Sequence, residues 1–240
     1  MSFQVSRRNL FLGGGAALLL LLGLIGWFVA RPAVQTQQKN QYLLESIAAH
    51  KDAAEAYKTI QETEKTKEKD RQNPGPYITI GNNWVLIADI LQSQDARDEA
   101  IAEYERGVAV VGSKSTILLL NAGNAYRNSG RFEEAEAKYK MAIEADPGDG
   151  AGYERLVDLY RFSMQKTSAD IIPVYQQALE KVFDNARIVQ SLAEYLSAIG
   201  RLRDAVPYYQ LLAKKYPEQF LPIIRSLEER LAVASSTPKQ

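Results

Sequence analysis

The sequence predicts an all-α fold: a helical solenoid of about four helix pairs with a capping helix, preceded by a polar stalk helix and one transmembrane helix. Three observations predict it. Apolar and aromatic residues recur at helical spacing, the pattern returns about every 34 residues with two stripes per period, and no charge occurs from Leu10 to Ala30. A unit of that length cannot bury its own apolar face, so neighbouring units must stack.

Residues 1–9 read as a short cytoplasmic tail. Residues 10–30 read as the membrane span: as a helix they reach about 31 Å, enough for a hydrocarbon core of roughly 30 Å. Trp27 suits the interface, and Arg7 and Arg8 ahead of the run favour a cytoplasmic N-terminus. A cleaved signal peptide is the alternative, since Ser6-Arg7-Arg8-Asn9-Leu10-Phe11 resembles a twin-arginine export signal. Phe28 and Arg31 fall where a cleavage site wants small residues, which disfavours it.

Residues 31–72 are polar, with Leu43, Leu44, Ile47, Ala54, Tyr57 and Ile60 at helical spacing and mixed charges from Gln61 to Arg71. They read as a stalk helix or, because Ala53, Tyr57 and Ile60 echo the later pattern, as a degenerate repeat. Asn73-Pro74-Gly75-Pro76 breaks the helix.

Residues 73–219 hold the repeats, placed at about 81–114, 116–149, 150–185 and 186–219. Trp84, Ile87, Ala88 and Leu91 align with Leu119, Ala122, Gly123 and Tyr126; Ala100, Tyr104 and Gly107 align with Ala135, Tyr139 and Ala142. A third copy has Tyr153, Leu156, Val157 and Tyr160, then Tyr175 and Ala178, with two extra residues in its turn. The fourth has Val189, Leu192, Ala193 and Leu196, then Gly200, Ala205 and Tyr209. Asp95 stands where the first copy needs a turn glycine. Pro173 and Pro207 imply that the second helices of the last two copies start late or bend. Leu221, Ile224, Leu227 and Leu231 mark a capping helix over 220–234, and 235–240 is a frayed tail.

The second copy, Gly123-x-x-Tyr126-x-x-x-Gly130-x-Phe132-x-x-Ala135-x-x-x-Tyr139-x-x-Ala142 and then Pro147, resembles the tetratricopeptide repeat, and the likeness covers about residues 78–219. Small residues at Gly123 and Ala135 let two helices cross closely, and Gly130 ends the first helix at positive φ. The resemblance implies a concave groove, lined by the first helix of each pair, in which a peptide is held by asparagines and basic side chains. The residues turned from the packing stripe are Ile117, Leu120, Asn121, Asn124, Arg127 and Asn128, followed by Glu154, Arg155, Asp158 and Arg161. Of these, Asn121, Asn124, Arg127, Asn128, Arg155, Asp158 and Arg161 are the candidate peptide-binding residues. Family members that bind chaperone tails use a clamp of two lysines, two asparagines and an arginine. Asn124 and Arg155 match it, whereas Val85, Asp89 and Ala151 stand where two lysines and an asparagine would be.

Composition narrows the chemistry. Of 29 basic and 29 acidic residues, 1–36 hold three arginines and no acid, leaving 26 basic against 29 acidic beyond. Such a balance gives no nucleic-acid footprint. There is no cysteine, and His50, the one histidine, lacks partners for metal or base work. Gly13-Gly14-Gly15 has no phosphate-loop context, and Asp146-Pro147-Gly148-Asp149-Gly150 reads as a turn rather than a calcium loop. The expectation is therefore a non-enzyme with no cofactor and no metal. It binds a protein or peptide partner and membrane lipid through residues 10–30, with the repeats on the outer side of a bacterial inner membrane. The topology is similar to that of single-span repeat subunits of the Sec translocon and of cytochrome c maturation, which implies a membrane protein complex as a partner. A scaffold that self-associates through its stalk is the competing reading.

Overall fold

The computed structural model describes residues 36–112, 114–182 and 185–236; the side chains of 234–236 are not described. The predicted span Leu10–Ala30 lies outside them, as do 1–9 and most of the tail. No helix among the described residues is long and apolar enough to cross a membrane.

The described chain is a run of helices with no strand. Residues 36–49 form α1, which turns at His50 into α2 (Lys51–Lys67). Four helix pairs follow: α3 (Pro74–Leu91) with α4 (Gln94–Val111), then α5 (Thr116–Asn128) with α6 (Phe132–Ala145). The third pair is α7 (Gly150–Asp158) with α8 (Ser168–Lys181), the fourth α9 (Ala186–Ala198) with α10 (Leu202–Ala213). The last helix, α11 (Pro217–Ser236), packs against α10.

Local chemistry sets the starts. Asn73, Ser93, Ser115 and Asp149 precede α3, α4, α5 and α7, and each side chain accepts a backbone N–H of the first turn. Thr167 and Asp170 form a capping box on α8. Gly130 and Gly200 close α5 and α9 at φ +73° and +79°. In the other two pairs glutamine takes the left-handed position: Gln92, not Asp95, after α3 and Gln165 before α8, both at φ 50°.

Of the two extra residues of the third copy, one is absorbed by a π-helical turn, Leu159–Ser163, in which Met164 N–H donates to the Leu159 carbonyl, and the other lengthens the connection between Gln165 and α8. Neither proline-bearing helix starts late. Pro173 and Pro207 sit inside α8 and α10, at the sixth residue of each, and Pro222 repeats this in α11. All three, and the residues four before them, are exposed, so water can satisfy the carbonyls that lose a partner.

The segment 31–72 is no free stalk where it is described. Ile47, Ala53, Ala56 and Ile60 are buried, and Tyr57 meets Trp84 edge-on at 5.7 Å. Lys67 binds the fully buried Glu103 of α4 at 2.8 Å, and Arg106 reaches its other oxygen at 2.6 Å. At the far end, Phe220, Ile224 and Leu227 are the buried line of α11. Leu221, expected inside, is exposed.

The first copy departs from the expected register. A Cβ on Gly123 would fall 2.4 Å from Tyr139, and a Cβ on Gly81 would fall 2.3 Å from Tyr104. Gly81 is therefore the partner of Gly123, and Tyr77, Ile80 and Trp84 replace Trp84, Ile87 and Leu91 as partners of Leu119, Ala122 and Tyr126. The error is seven residues. Two helical turns return to the same face, so periodicity alone cannot see it. The extra turns lengthen the α3–α4 hairpin, and α1 lies beside it, with Lys39 paired to Asp95.

Candidate functional site

The groove is built from glycines outward. Because Gly81 and Gly123 have no Cβ, the rings of Tyr104 and Tyr139 lie directly on the backbones of α3 and α5. Each hydroxyl then reaches the next residue: Tyr104 donates to Asn82 Oδ1 at 2.6 Å, and Tyr139 to Asn124 Oδ1 at 2.8 Å. With each amide oxygen engaged, its NH2 remains as a double donor. Burial raises both phenol pKa values, and at Tyr139 this outweighs the opposing pull of Arg127 and Arg155. The phenols therefore stay protonated and keep donating.

Asn82, Asn121, Asn124, Arg127, Asn128 and Arg155 line one cavity of about 320 Å³ along α3, α5 and α7. Five of the seven predicted residues thus meet. No acid lines this groove, and neither Arg127 nor Arg155 is ion-paired among the described residues. Asp158 faces the next cavity, toward α9. Arg161 is committed elsewhere: it donates to the Tyr175 hydroxyl at 3.4 Å and stacks over Phe162 and Tyr195 at 4.8 and 5.0 Å. Glu154 is bonded to Arg187 at 2.5 Å, and Ile117 is exposed.

Asn82 is the residue that sequence reasoning missed. Its signal was present: Gly81-Asn82-x-Trp84 repeats the Gly123-Asn124-x-Tyr126 order, but the wrong register paired Asn124 with Asp89. Asp89 instead lies near the end of α3, with Arg97 at 4.0 Å. In the corrected register Ile78 and Asn82 replace Val85 and Asp89 at the clamp positions. Two asparagines and an arginine are then present, and Ile78 and Ala151 still hold the places of the lysines.

Three aspects of electrostatics decide what the groove can do. It offers amide donors on a fixed backbone, two guanidinium forks, and no carboxylate in its lining. Together these fit peptide carbonyls and a carboxylate group. Among the described residues no group of acids and histidine could hold a metal ion.

Residues 85–150 match the family model of the tetratricopeptide repeat. No curated protein matches the sequence. Among solved structures, a crystal structure of MamA is similar at 19% identity and a TM-score of 0.51, over 67% of this chain and 88% of that one. A second MamA structure is similar at 17% identity and a TM-score of 0.51, over 75% and 92%. The likeness is one of fold. Tetratricopeptide repeats generally mediate protein–protein interaction.

Proposed function

We propose that this array of tetratricopeptide-type repeats is a membrane-anchored, non-enzymatic adaptor that holds an extended segment of a partner protein in the groove along α3, α5 and α7. One observation carries the reading: Arg127 and Arg155 stand without ion pairs in a groove otherwise furnished with asparagines. The amides of Asn82 and Asn124, turned by Tyr104 and Tyr139, donate to peptide carbonyls. The two guanidinium groups take a carboxylate, from an acidic side chain or a chain terminus.

The test compares full-length protein extracted from membranes with an Arg127→Glu, Arg155→Glu variant. Wild type should retain a stoichiometric unlike chain. The variant should lose it by about tenfold or more, since a charge-assisted hydrogen bond contributes about 1.5–3 kcal/mol. Its urea midpoint should hardly change, because Arg155 is exposed and neither arginine is paired. Equal retention would sink the groove assignment.

Anchoring rests on the uncharged run from Leu10 to Ala30 with Arg7 and Arg8 before it, and places the repeats outside the inner membrane. The chain has no cysteine, so Glu229→Cys on exposed α11 is a sole reporter. It should react with an impermeant thiol reagent on cells with an intact inner membrane. Reaction only after lysis would reverse the orientation, and a mature N-terminus near residue 31 would replace the anchor with a signal peptide. Self-association through the stalk is the weaker reading, because Ala53, Ala56 and Ile60 are already buried.

A further inference from the structure

Asp158 occupies, in the third repeat, the place that Asn82 and Asn124 hold in the first two. Its surroundings differ. In the earlier repeats the second-helix tyrosine donates to the asparagine. The corresponding Tyr175 turns its hydroxyl to Ser191 Oγ of α9 at 2.8 Å and also meets Arg161. Asp158 is left with no hydrogen bond or ion pair among the described residues.

Asp158 lines a cavity of about 190 Å³ between α7, α8 and α9. The other acid on that wall, Glu154, is compensated by Arg187 at 2.5 Å. Of the two arginines three residues away on either side, Arg161 is spent on Tyr175 and two rings, and Arg155 lines the neighbouring groove without pairing to Asp158. A half-buried carboxylate with no ion pair of its own is complementary to a cation that enters beside it. Tyr153, Val157 and Ile188 supply apolar walls for an aliphatic stem. The shape and charge together suit a lysine or arginine side chain.

We infer that this cavity takes the basic side chain of the same peptide whose carboxylate sits against Arg127 and Arg155, an inference that rests on the groove reading above. Adjacent helices pack about 8–10 Å apart and an extended peptide advances about 3.3 Å per residue, so the acid and the base lie about three positions apart. The groove thus changes sign along its length, from two free cations at α5 and α7 to one free anion facing α9. The substrate class is an extended segment carrying an acidic and a basic residue at that spacing.

The test is selection from a display library of random linear peptides on the full-length chain, beside Asp158→Asn and Arg155→Glu. Asp158→Asn restores the residue type found at positions 82 and 124, so its helical signal should match wild type. Wild-type selections should share an acid and a lysine or arginine at the stated spacing. Asp158→Asn should lose the basic preference and keep the acidic one, and Arg155→Glu should do the reverse. In one selected peptide, changing the basic residue to norleucine should weaken binding to wild type by about tenfold. That peptide-side measurement stands even where a protein variant fails to fold. Acidic preference without a basic one, or a norleucine peptide that binds as well as its parent, overturns the inference and leaves the groove reading intact. Selection of neither charge overturns both.

Discussion

Tyr139 touches Gly123 so closely that one methyl group cannot be added between them without moving a ring. Gly123→Ala should therefore lower stability by about 1–3 kcal/mol in urea unfolding, with Lys58→Gln on the exposed face of α2 nearly silent. Equal midpoints for the two would contradict the packing described. Asn124 is a structural partner as well as a groove residue, because Tyr139 donates to it. Asn124→Ala leaves that phenol unsatisfied and should cost about 1 kcal/mol before any ligand is added. Asn121, which has no such bond, is the cleaner probe of binding.

At the scale of the element, the four hairpins solve one problem in two ways. Gly130 and Gly200 take positive φ freely, whereas Gln92 and Gln165 take it against Cβ strain. Gln92 recovers some of that by donating to the Asp89 carbonyl at 2.7 Å. Gln165→Gly should therefore stabilise by about 0.5–1 kcal/mol, and Gln92→Gly by less; a loss of stability at Gln165 would refute this account of the turn. The attachment of α2 depends on Glu103, which has no exposed surface and binds Lys67 and Arg106. Glu103→Ala should cost about 3 kcal/mol, since Lys67 keeps Glu64 at 2.8 Å, and amide exchange should quicken in α2 first. Uniform quickening through every helix would show that α2 is not separately held.

Nine of the thirteen tyrosines are buried, at least two in every repeat, and this sets the molecule's response to alkali. Burial raises the pKa of Tyr104, Tyr139, Tyr153, Tyr160, Tyr175 and Tyr209, and moves Tyr126 to about 12, with Glu105 adding to the effect. The unfolded chain loses these protons near pH 10, before the folded one. Their contribution is thus complete below about pH 10 and is lost as pH rises through the folded values. The urea midpoint should hold steady to about pH 9 and then fall together with the rise of phenolate absorbance. A midpoint flat through pH 11 would contradict the burial. The cap is equally collective: a chain ending at Tyr216 loses Phe220, Ile224 and Leu227 from the end of the array and should self-associate.

The sequence by itself determined the helix class, the pairing of helices, the turn glycines at 130 and 200, and five of the residues that share the groove. Those features are local or periodic, and helical spacing reports which face is apolar wherever the register is right. Tertiary structure alone decided the rest. The first repeat had slid by two turns, which leaves every apolar residue on its proper face and is visible only where Tyr104 meets Gly81. That contact exchanged Asp89 for Asn82 in the groove. The same holds for Arg161, whose spacing matches Arg127 but whose guanidinium is captured by Tyr175 and Tyr195. Spacing along one helix carries no information about which rings a neighbouring helix will bring to it.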